Sequence, residues 1–334
     1  MPRGPIFIGG PDRCGKTLMA AILGSHSRIA IPIVGSNLWT FFYGQYGDLR
    51  DDRNLERCLA AMMRYKHALF LKPDVDRIRD ELRAGERSYA RLFALLHEHF
   101  AERAGKPRWG DQTGLIERYA DEVLAAYPGA VMLHMIRDPR DRYEASLRLW
   151  PKGRARAGGA AARWSYSVRL AERNLRRHPD RYRLIRYEDL VTRPQEVVRT
   201  VTTFLEETYE PAMLAMADAP TYRRKLAGGK EPAPGTELIN ANHVGDFRGS
   251  IPHGEIAFLQ SVLAGPMKRL GYGPEPVRTD LTARLAYATW TLPSNGLRMA
   301  AWGGLEAIQH RFPRIAGRAP VSAKVVGPSE VGEG

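Results

Sequence analysis

The chain has 334 residues, a formal net charge of +13 at pH 7, 44% hydrophobic residues and 26% charged residues. This composition is typical of a soluble globular protein with a sizeable core. The positive balance suits polyanionic ligands such as nucleotides, phosphate or sulfate groups, nucleic acid or an anionic membrane surface. The two cysteines, Cys14 and Cys58, exclude a disulfide framework and a C-x-x-C metal site, and they favour a reducing compartment.

Neither a targeting segment nor a membrane span is expected. Residues 1–4 leave no room for a signal peptide before the first predicted strand. The uncharged run between Arg28 and Asp48 is interrupted by proline and glycine, which disqualifies it as a transmembrane helix. Lysine-rich tracts typical of a nucleic-acid-binding arm are missing. We therefore expect a cytoplasmic protein with no membrane span and no nucleic-acid partner.

The first predicted elements are a strand over residues 6–8, a turn-rich break, and a helix over residues 18–23. Residues 10–17 match the pattern G-x-x-x-x-G-K-[ST]. A strand, a tight loop and a helix in this order direct backbone N–H groups and a helix N-terminus at a phosphate. An ordinary glycine-rich turn that caps a helix is the alternative interpretation, but the strand and helix on either side favour an anion-binding loop.

Strands and helices alternate along the rest of the chain, which predicts an α/β fold with a central parallel sheet. Further strands are predicted over residues 29–34, within 106–114, and over 130–136 and 181–187. Helical patterns cover residues 53–96 and 116–126, the segment through 144–150 that follows Arg142, then 160–178, the segment from Pro194, 254–264 and 278–312. We predict one domain over residues 1–275 with a helical insertion at about 53–104, a helical extension over 276–316 and a disordered tail over 317–334.

A charged segment, residues 137–142, follows the strongest buried-strand pattern of the chain, residues 130–136. It holds three arginines and two aspartates at the predicted carboxyl end of the strand. Open α/β sheets bind their ligands at that end of the strands. The segment therefore predicts part of a ligand site, with a solvated charge cluster as the alternative.

Four stretches carry patterns that occur in the same order in one known family. They are the loop region with SHSRIAI in residues 5–31, HMIRDPRDRYEAS in 134–146, RLIRYEDLVTRPQEVVRTVTTFL in 183–205 and, more weakly, VGDFRG in 244–249. Together they resemble the sulfotransferase family, specifically its bacterial and tyrosylprotein-type branch, over roughly residues 5–275.

The resemblance implies a three-layer, P-loop-like α/β fold that binds 3′-phosphoadenosine 5′-phosphosulfate (PAPS). It implies transfer of a sulfuryl group to a hydroxyl of a small molecule, glycan or peptide, with no metal. By position, the residues expected to hold the 5′-phosphosulfate are Arg13, Cys14, Gly15, Lys16 and Thr17. The residues expected around the 3′-phosphate and the nucleotide are Arg137, Ser146, Tyr187, Arg248 and Gly249.

The chain departs from the family pattern at several positions. The glutamate that usually follows I-A-I-P is replaced within residues 33–36, and a lysine expected near the sulfuryl group is Gln112. The loop carries Lys16 where the family has threonine, and Ser146 comes one residue later than usual. We predict that Lys16 supplies the charge of the missing lysine, with Arg13 as a second catalytic cation.

The missing glutamate leaves the general base open. Asp111, at a predicted strand end, is the first candidate, followed by Glu144 and His26. Each has a structural alternative: a turn or N-cap for Asp111, an arginine-paired carboxylate for Glu144 and a helix-end residue for His26. Cys14, at a helix N-terminus among cations, is expected to have a lowered pKa or simply to replace a small loop residue.

Two other functions fit parts of the pattern. Residues 10–17 match the loop of ATP- or GTP-dependent kinases and NTPases more literally than the sulfotransferase loop, although Arg137 stands where a magnesium-binding carboxylate is expected. The substituted glutamate and lysine also fit a non-catalytic nucleotide-binding protein. The sequence leaves the acceptor and the oligomeric state open.

Overall fold

A computed structural model of the chain describes residues 3–149, 157–233, 236–277 and 281–311. Within these residues, parallel strands form one sheet: β1 (Ile6–Gly9), β2 (Ile29–Ala30), β3 (Arg108–Gln112), β4 (Val131–Ile136) and β5 (Tyr182–Arg186). The strand order is β2-β3-β1-β4-β5. The predicted α/β fold with a central parallel sheet is confirmed.

The order of the strands places the first strand of the chain in the middle of the sheet. Residues 6–8 of β1 pair with 110–112 of β3 on one side, and residues 6–9 pair with 131–134 of β4 on the other. The predicted strand over residues 29–34 is shorter than expected, because β2 has two residues and pairs only with β3. Pro32 has no N–H to donate to a ladder, and this ends the edge strand.

Helices cover both faces of the sheet. Up to the end of β4 they are α1 (Lys16–Gly24), α2 (Leu38–Phe41), α3 (Asp52–Met62), α4 (Lys66–Leu69), α5 (Val75–Ala84), α6 (Tyr89–Arg103), a 3-10 turn (Ile116–Tyr119) and α7 (Ala120–Ala126). Around and after β5 they are α8 (Pro139–Leu149), α9 (Ala157–Arg177), α10 (Tyr187–Thr192), α11 (Pro194–Phe204), α12 (Ala212–Ala215) and α13 (Pro220–Leu226). The last are α14 (Phe247–Ser250), α15 (His253–Val262), α16 (Ala264–Arg269), α17 (Leu281–Ala286), a π-helical turn (Tyr287–Thr291) and α18 (Leu292–Arg311).

Alternating residues of β1 divide the core between the two faces of the sheet. Ile6 and Ile8 pack with the buried residues of α1 and α11. Phe7 packs on the opposite face with aromatic and aliphatic residues of α3, α6 and α7. These layers, helices on sheet on helices, are the three-layer arrangement predicted for the chain.

The helical segment between β2 and β3 contains α3, α5 and α6, which begin at side-chain N-caps. Asp51, Asp74 and Ser88 each accept a hydrogen bond from a backbone N–H in the first turn of the helix that follows. At the other end of the chain, α18 packs along α9. The proposed division into a domain, an insertion and an extension stays a prediction, and the predicted tail, residues 317–334, lies outside the described residues. Among the described helices, none combines the length and the apolar character that a bilayer crossing requires.

Candidate functional site

The loop between β1 and α1 turns sharply through residues with positive φ. The φ angles are 113° at Gly10, 64° at Arg13 and 88° at Gly15. Gly10 is required here, because a Cβ at this position would come within 2.1 Å of the carbonyl oxygen of Met135 on β4. The loop is therefore pressed against the sheet, with the first turn of α1 directly behind it, which is the geometry of an anion-binding loop.

A buried carboxylate holds the start of this loop. Glu117 Oε2 accepts a hydrogen bond of 3.0 Å from the Gly10 N–H, and Glu117 Oε1 accepts one of 2.5 Å from the Ser167 hydroxyl. Glu117 is 0% exposed. The sequence placed Glu117 in a helix without a special role, since its partners come from the loop after β1 and from α9, and no local pattern connects them.

Lys16 folds back over the loop. Its ammonium group donates hydrogen bonds to the carbonyl oxygens of Gly10, at 2.8 Å, and Pro11, at 2.6 Å. Burial of the ammonium lowers the pKa of Lys16, although nearby Asp12 and Glu117 favour the charged form. The lysine side chain is thus held at the loop by main-chain oxygens in advance of any ligand.

Asp12, in the middle of the loop, is surrounded by donors from α8 and α9. Arg142 forms an ion pair with Asp12 Oδ1 and donates to the Asp12 carbonyl oxygen at 3.1 Å. Arg163 lies 3.2 Å from the same carboxylate, and Ser146 donates to Oδ2 at 3.3 Å. Burial opposes ionisation, but the two arginines hold the pKa of Asp12 well below its usual range. The carboxylate therefore fixes the loop to two helices.

A cavity of about 380 Å³ opens on one side of the loop. Arg137 on its wall lies over the Tyr187 ring, with 4.5 Å between the guanidinium carbon and the ring centroid, and donates to the His243 carbonyl oxygen at 2.5 Å. Its Nε is buried and has no hydrogen-bond partner among the described residues. The wall includes Arg13, Gly15, Lys16, Thr17, Arg137, Tyr187, Tyr222, Lys225, Asn240, Asn242 and His243. The wall of the cavity thus combines cationic side chains with the rings of Tyr187 and Tyr222.

A second cavity, of about 720 Å³, is also lined by residues of the loop. Its walls are both aromatic and polar: Asp12, Lys16, Asn37, Thr40, Phe41, His67, Gln112, Arg118, Tyr119, Arg163, Trp302 and Glu306. Gln112, which replaces the expected lysine, exchanges a long hydrogen bond with Thr17, at 3.3 Å between Nε2 and Oγ1. Lys16 lines both cavities. The loop lysine therefore stands at the junction of two cavities with different walls.

The structure brings most of the predicted loop and nucleotide residues together. Arg13, Gly15, Lys16, Thr17, Arg137 and Tyr187 share the smaller cavity. Ser146 does not line either cavity and binds Asp12 instead. Arg248 is paired with Glu275 at 2.5 Å, and neither Arg248 nor Gly249 lines either cavity.

The predicted catalytic carboxylate, Asp111, is 1% exposed and enclosed by its neighbours. It accepts hydrogen bonds from Ser36, at 2.5 Å, and Thr113, at 2.7 Å. Burial opposes ionisation of Asp111, but the histidine side chain of His97 and the bonds from Ser36 hold its pKa below the ordinary value. The carboxylate does not line either cavity.

The other base candidates also have structural partners. Glu144 pairs with Arg148 at 2.5 Å. His26 is 1% exposed and lies 2.9 Å from the carbonyl oxygen of Thr208. Neither residue lines either cavity.

The expectation of a lowered pKa for Cys14 is wrong. The Cys14 side chain is 0% exposed, and burial raises its pKa to about 12 despite the cations around it. The thiol donates weakly to the Asp12 carbonyl oxygen at 3.8 Å. Cys14 is therefore a packed loop residue and not an ionised thiol.

Sequence reasoning missed the residues that come to the smaller cavity from the region after α12. Tyr222 and Lys225 lie on α13, and Asn240 and Asn242 follow in a loop. Burial raises the pKa of Tyr222. Pro220 at the first position of α13 is the available signal for this helix, because proline favours the first turn.

The region that holds the loop and the sheet matches a known protein family. A profile described as the sulfotransferase family matches residues 5–211, which is more than half of the chain. The chain belongs to the sulfotransferase family. The matched region contains β1 to β5, the loop and the segment that begins at Arg137. Membership in this family does not favour the alternative of an ATP- or GTP-dependent kinase.

Individual relatives are more distant. Human carbohydrate sulfotransferase 5 is 28% identical over 165 residues, which cover 43% of this chain and 40% of that protein. The sulfotransferase domain of the Synechococcus PCC 7002 olefin synthase has a TM-score of 0.46 and 19% identity, over 91% of this chain and 96% of the domain. Mouse sulfotransferase SULT7A1, in a structure with PAP, has a TM-score of 0.43 and 11% identity, over 79% of this chain and 84% of its own. The family assignment therefore depends on the profile match.

The described residues contain no group of three or more histidine, cysteine, aspartate or glutamate side chains placed to hold a metal ion. The cationic side chains of Arg13, Lys16, Arg137 and Lys225 line the smaller cavity. An anion in the smaller cavity would therefore meet cationic side chains of the protein itself.

Proposed function

We propose that this protein transfers a sulfuryl group from PAPS to a hydroxyl group of an acceptor. The single observation that carries the proposal is the position of Lys16, which lines both the cationic cavity and the larger aromatic cavity. A group transferred between molecules in these two cavities would pass beside its ammonium group. Family membership supplies the chemistry that fits this arrangement.

The smaller cavity is proposed as the PAPS site. The backbone N–H groups of the loop, with Arg13, Lys16 and Thr17, would hold the 5′-phosphosulfate. Arg137 would approach the 3′-phosphate, because its Nε is buried without a partner and an anion would satisfy it. Tyr187 would border the nucleotide. Ser146 and Arg248 are left outside the proposed site because they contact Asp12 and Glu275. Gly249 is left outside because it does not line this cavity.

The catalytic contribution of the protein would be placement and charge stabilisation. Sulfuryl transfer resembles phosphoryl transfer in needing an in-line arrangement and positive charge around the moving group and the leaving oxygen. Lys16 would move its hydrogen bonds from the carbonyl oxygens of Gly10 and Pro11 to the ligand oxygens. Arg13 presents a fork-shaped donor at the same loop. The cationic side chains would neutralise the phosphosulfate without a metal.

The larger cavity is proposed as the acceptor site. Phe41, Tyr119 and Trp302 give it apolar walls, and Asn37 and Thr40 add hydrogen-bonding groups. These walls suit a small alcohol or phenol, a glycan or a peptide hydroxyl. We also propose a cytoplasmic location, which the free state of both cysteines supports.

Transfer of labelled sulfate tests the proposal. The protein is incubated with [³⁵S]PAPS in EDTA together with phenols, N-acetylglucosamine and tyrosine-containing peptides. We expect labelled sulfate ester and an equal amount of adenosine 3′,5′-bisphosphate (PAP). Binding of PAP without transfer to any acceptor would instead support a non-catalytic relative, and an absence of PAP binding would contradict the proposed PAPS site.

A further inference from the structure

His67 is a titratable residue of the acceptor cavity that the sequence did not single out. It lies on α4, between β2 and β3 along the chain, and is partly exposed. Its imidazole ring stacks on Tyr65, with 5.1 Å between ring centroids and 12° between ring planes. The stacked ring and a main-chain hydrogen bond fix its orientation at the wall of the cavity.

The main-chain hydrogen bond determines which nitrogen of His67 carries the proton in the neutral ring. His67 Nδ1 lies 2.8 Å from the carbonyl oxygen of Gly35. A carbonyl oxygen can only accept, so Nδ1 donates and the lone pair of the neutral imidazole is on Nε2. The Asn37 amide is farther from Nδ1, at 3.4 Å. Nε2 has no hydrogen-bond partner among the described residues, and it is therefore free to accept a proton.

A chain of contacts links this histidine to the phosphate loop. Gly35 lies directly against β3, since a Cβ at Gly35 would come within 1.9 Å of the carbonyl oxygen of Gln112. Gln112 in turn contacts Thr17 at 3.3 Å, next to Lys16. His67 and Lys16 both line the acceptor cavity. The histidine thus lines the same cavity as the loop lysine, and Gly35 and Gln112 connect it to the loop.

The other titratable groups on the walls of this cavity are Asp12, Lys16, Arg118, Tyr119, Arg163 and Glu306. Each is engaged or unsuited as a base. The pKa of Asp12 lies well below its usual range because Arg142 and Arg163 pair with it. Glu306 pairs with Arg118.

Tyr119, Lys16 and the stacked Tyr65 are also unsuited to take a proton. Burial raises the pKa of Tyr119, which keeps its hydroxyl protonated. It likewise raises the pKa of the stacked Tyr65 to about 12. The Lys16 ammonium already donates to two carbonyl oxygens. His67 is therefore the group of this cavity that combines a free imidazole lone pair with a fixed ring orientation.

We propose that His67 is the general base of the sulfuryl transfer, an inference that rests on the proposed function. The acceptor hydroxyl oxygen forms a bond to the sulfur of PAPS while the bond from sulfur to the 5′-phosphate oxygen breaks. The hydroxyl proton passes to His67 Nε2, and the 5′-phosphate of PAP keeps the electron pair and its negative charge. The step needs no oxidant or reductant.

His67→Asn provides a selective test, because the asparagine amide keeps a donor for Gly35 and removes the basic nitrogen. With [³⁵S]PAPS and 4-methylphenol, we expect kcat/KM to fall by about 10²- to 10⁴-fold, the usual contribution of general base catalysis. PAP affinity should stay within about threefold of wild type, since His67 does not line the smaller cavity. His178→Asn is the matched control, because His178 bonds Asp121 at 2.7 Å away from both cavities.

The pH profile and the acidity of the acceptor give readouts that a structural role would not change. Wild-type kcat/KM should rise with pH, because only the neutral imidazole accepts a proton, and that rise should disappear in His67→Asn. The defect should be smaller with 4-nitrophenol, whose hydroxyl loses its proton unaided near neutral pH. Unchanged turnover in His67→Asn, or an equal defect with both phenols, would overturn the proposal.

A measurement without an acceptor separates this inference from the proposed function. Long-range ¹H–¹⁵N NMR of the full chain reports the tautomer of each histidine. We expect neutral His67 to be protonated at Nδ1, and protonation at Nε2 would overturn its role as base. Failure of wild-type protein to bind PAP would instead overturn the proposed PAPS site.

Discussion

Replacement of Lys16 by methionine isolates the contribution of the loop lysine. In the wild-type protein the Lys16 ammonium group donates to the carbonyl oxygens of Gly10 and Pro11, at 2.8 and 2.6 Å. Methionine keeps most of the side-chain length and removes this group. A hydrogen bond to a charged group contributes about 1.5–3 kcal/mol. Loss of one such bond to the ligand therefore predicts about 10- to 100-fold weaker binding of PAP.

Isothermal titration calorimetry in EDTA measures this change directly. Lys268→Met, at an exposed position on α16, is the matched control and should bind PAP like wild type. Turnover of [³⁵S]PAPS should fall at least as much as affinity in Lys16→Met, because negative charge grows on the leaving phosphate oxygen in the transition state. Wild-type affinity together with wild-type turnover in Lys16→Met would refute the assignment of the missing charge to this residue.

Three further outcomes are expected. Glu117→Gln should lower the free energy of unfolding, measured in urea, by about 1–3 kcal/mol and should weaken PAP binding, because the buried carboxylate accepts the Gly10 N–H. An unchanged free energy of unfolding and an unchanged PAP affinity would contradict that role. Gly10→Ala should lower the free energy of unfolding by more than about 1 kcal/mol, since its Cβ would come within 2.1 Å of the Met135 carbonyl oxygen. Gly114→Ala is the control: a Cβ there has no atom within 4 Å, and the urea midpoint of unfolding should change little. Burial lowers the pKa of Lys16 below its ordinary value of 10.5, and a bound anion favours the ammonium form. Calorimetry should therefore show that PAP affinity falls as the pH rises through this lowered pKa. A PAP affinity that does not change with pH would contradict this coupling.

The fold was largely predictable from local patterns. Residues 6–8 and 130–136 are continuous apolar runs bounded by turns, and they became the buried strands β1 and β4. The shortness of β2 was less evident, because residues 29–34 are apolar throughout except for Pro32, whose missing N–H ends the ladder. The position of β1 in the middle of the sheet depends on contacts between distant strands, which a pattern of single residues does not contain.

The candidate site was predictable where its residues are close in sequence. The spacing of Gly10 to Thr17 identified the loop, and the loop conformation follows from its glycines. Asp111 illustrates the limit. A carboxylate at the end of a strand suggested an open base, but Ser36 and Thr113 close over it and satisfy its oxygens.

Residues recruited from distant segments were not predictable for the same reason. Glu117 gains its importance from the N–H of Gly10, more than a hundred residues away. His67 gains its tautomer from the main chain of Gly35 in another segment. Neither residue belongs to a recognisable motif, so only the folded chain places them beside the loop.

The most direct test of the proposed PAPS site is the thermal stability of the wild-type protein with PAP in EDTA. PAP at 100 times its dissociation constant should stabilise the folded state by about 2.7 kcal/mol, which corresponds to a midpoint shift of about 5 °C. The proposed site predicts this shift without magnesium, and predicts a smaller one with ATP. A shift with Mg·ATP alone, and none with PAP, would contradict it.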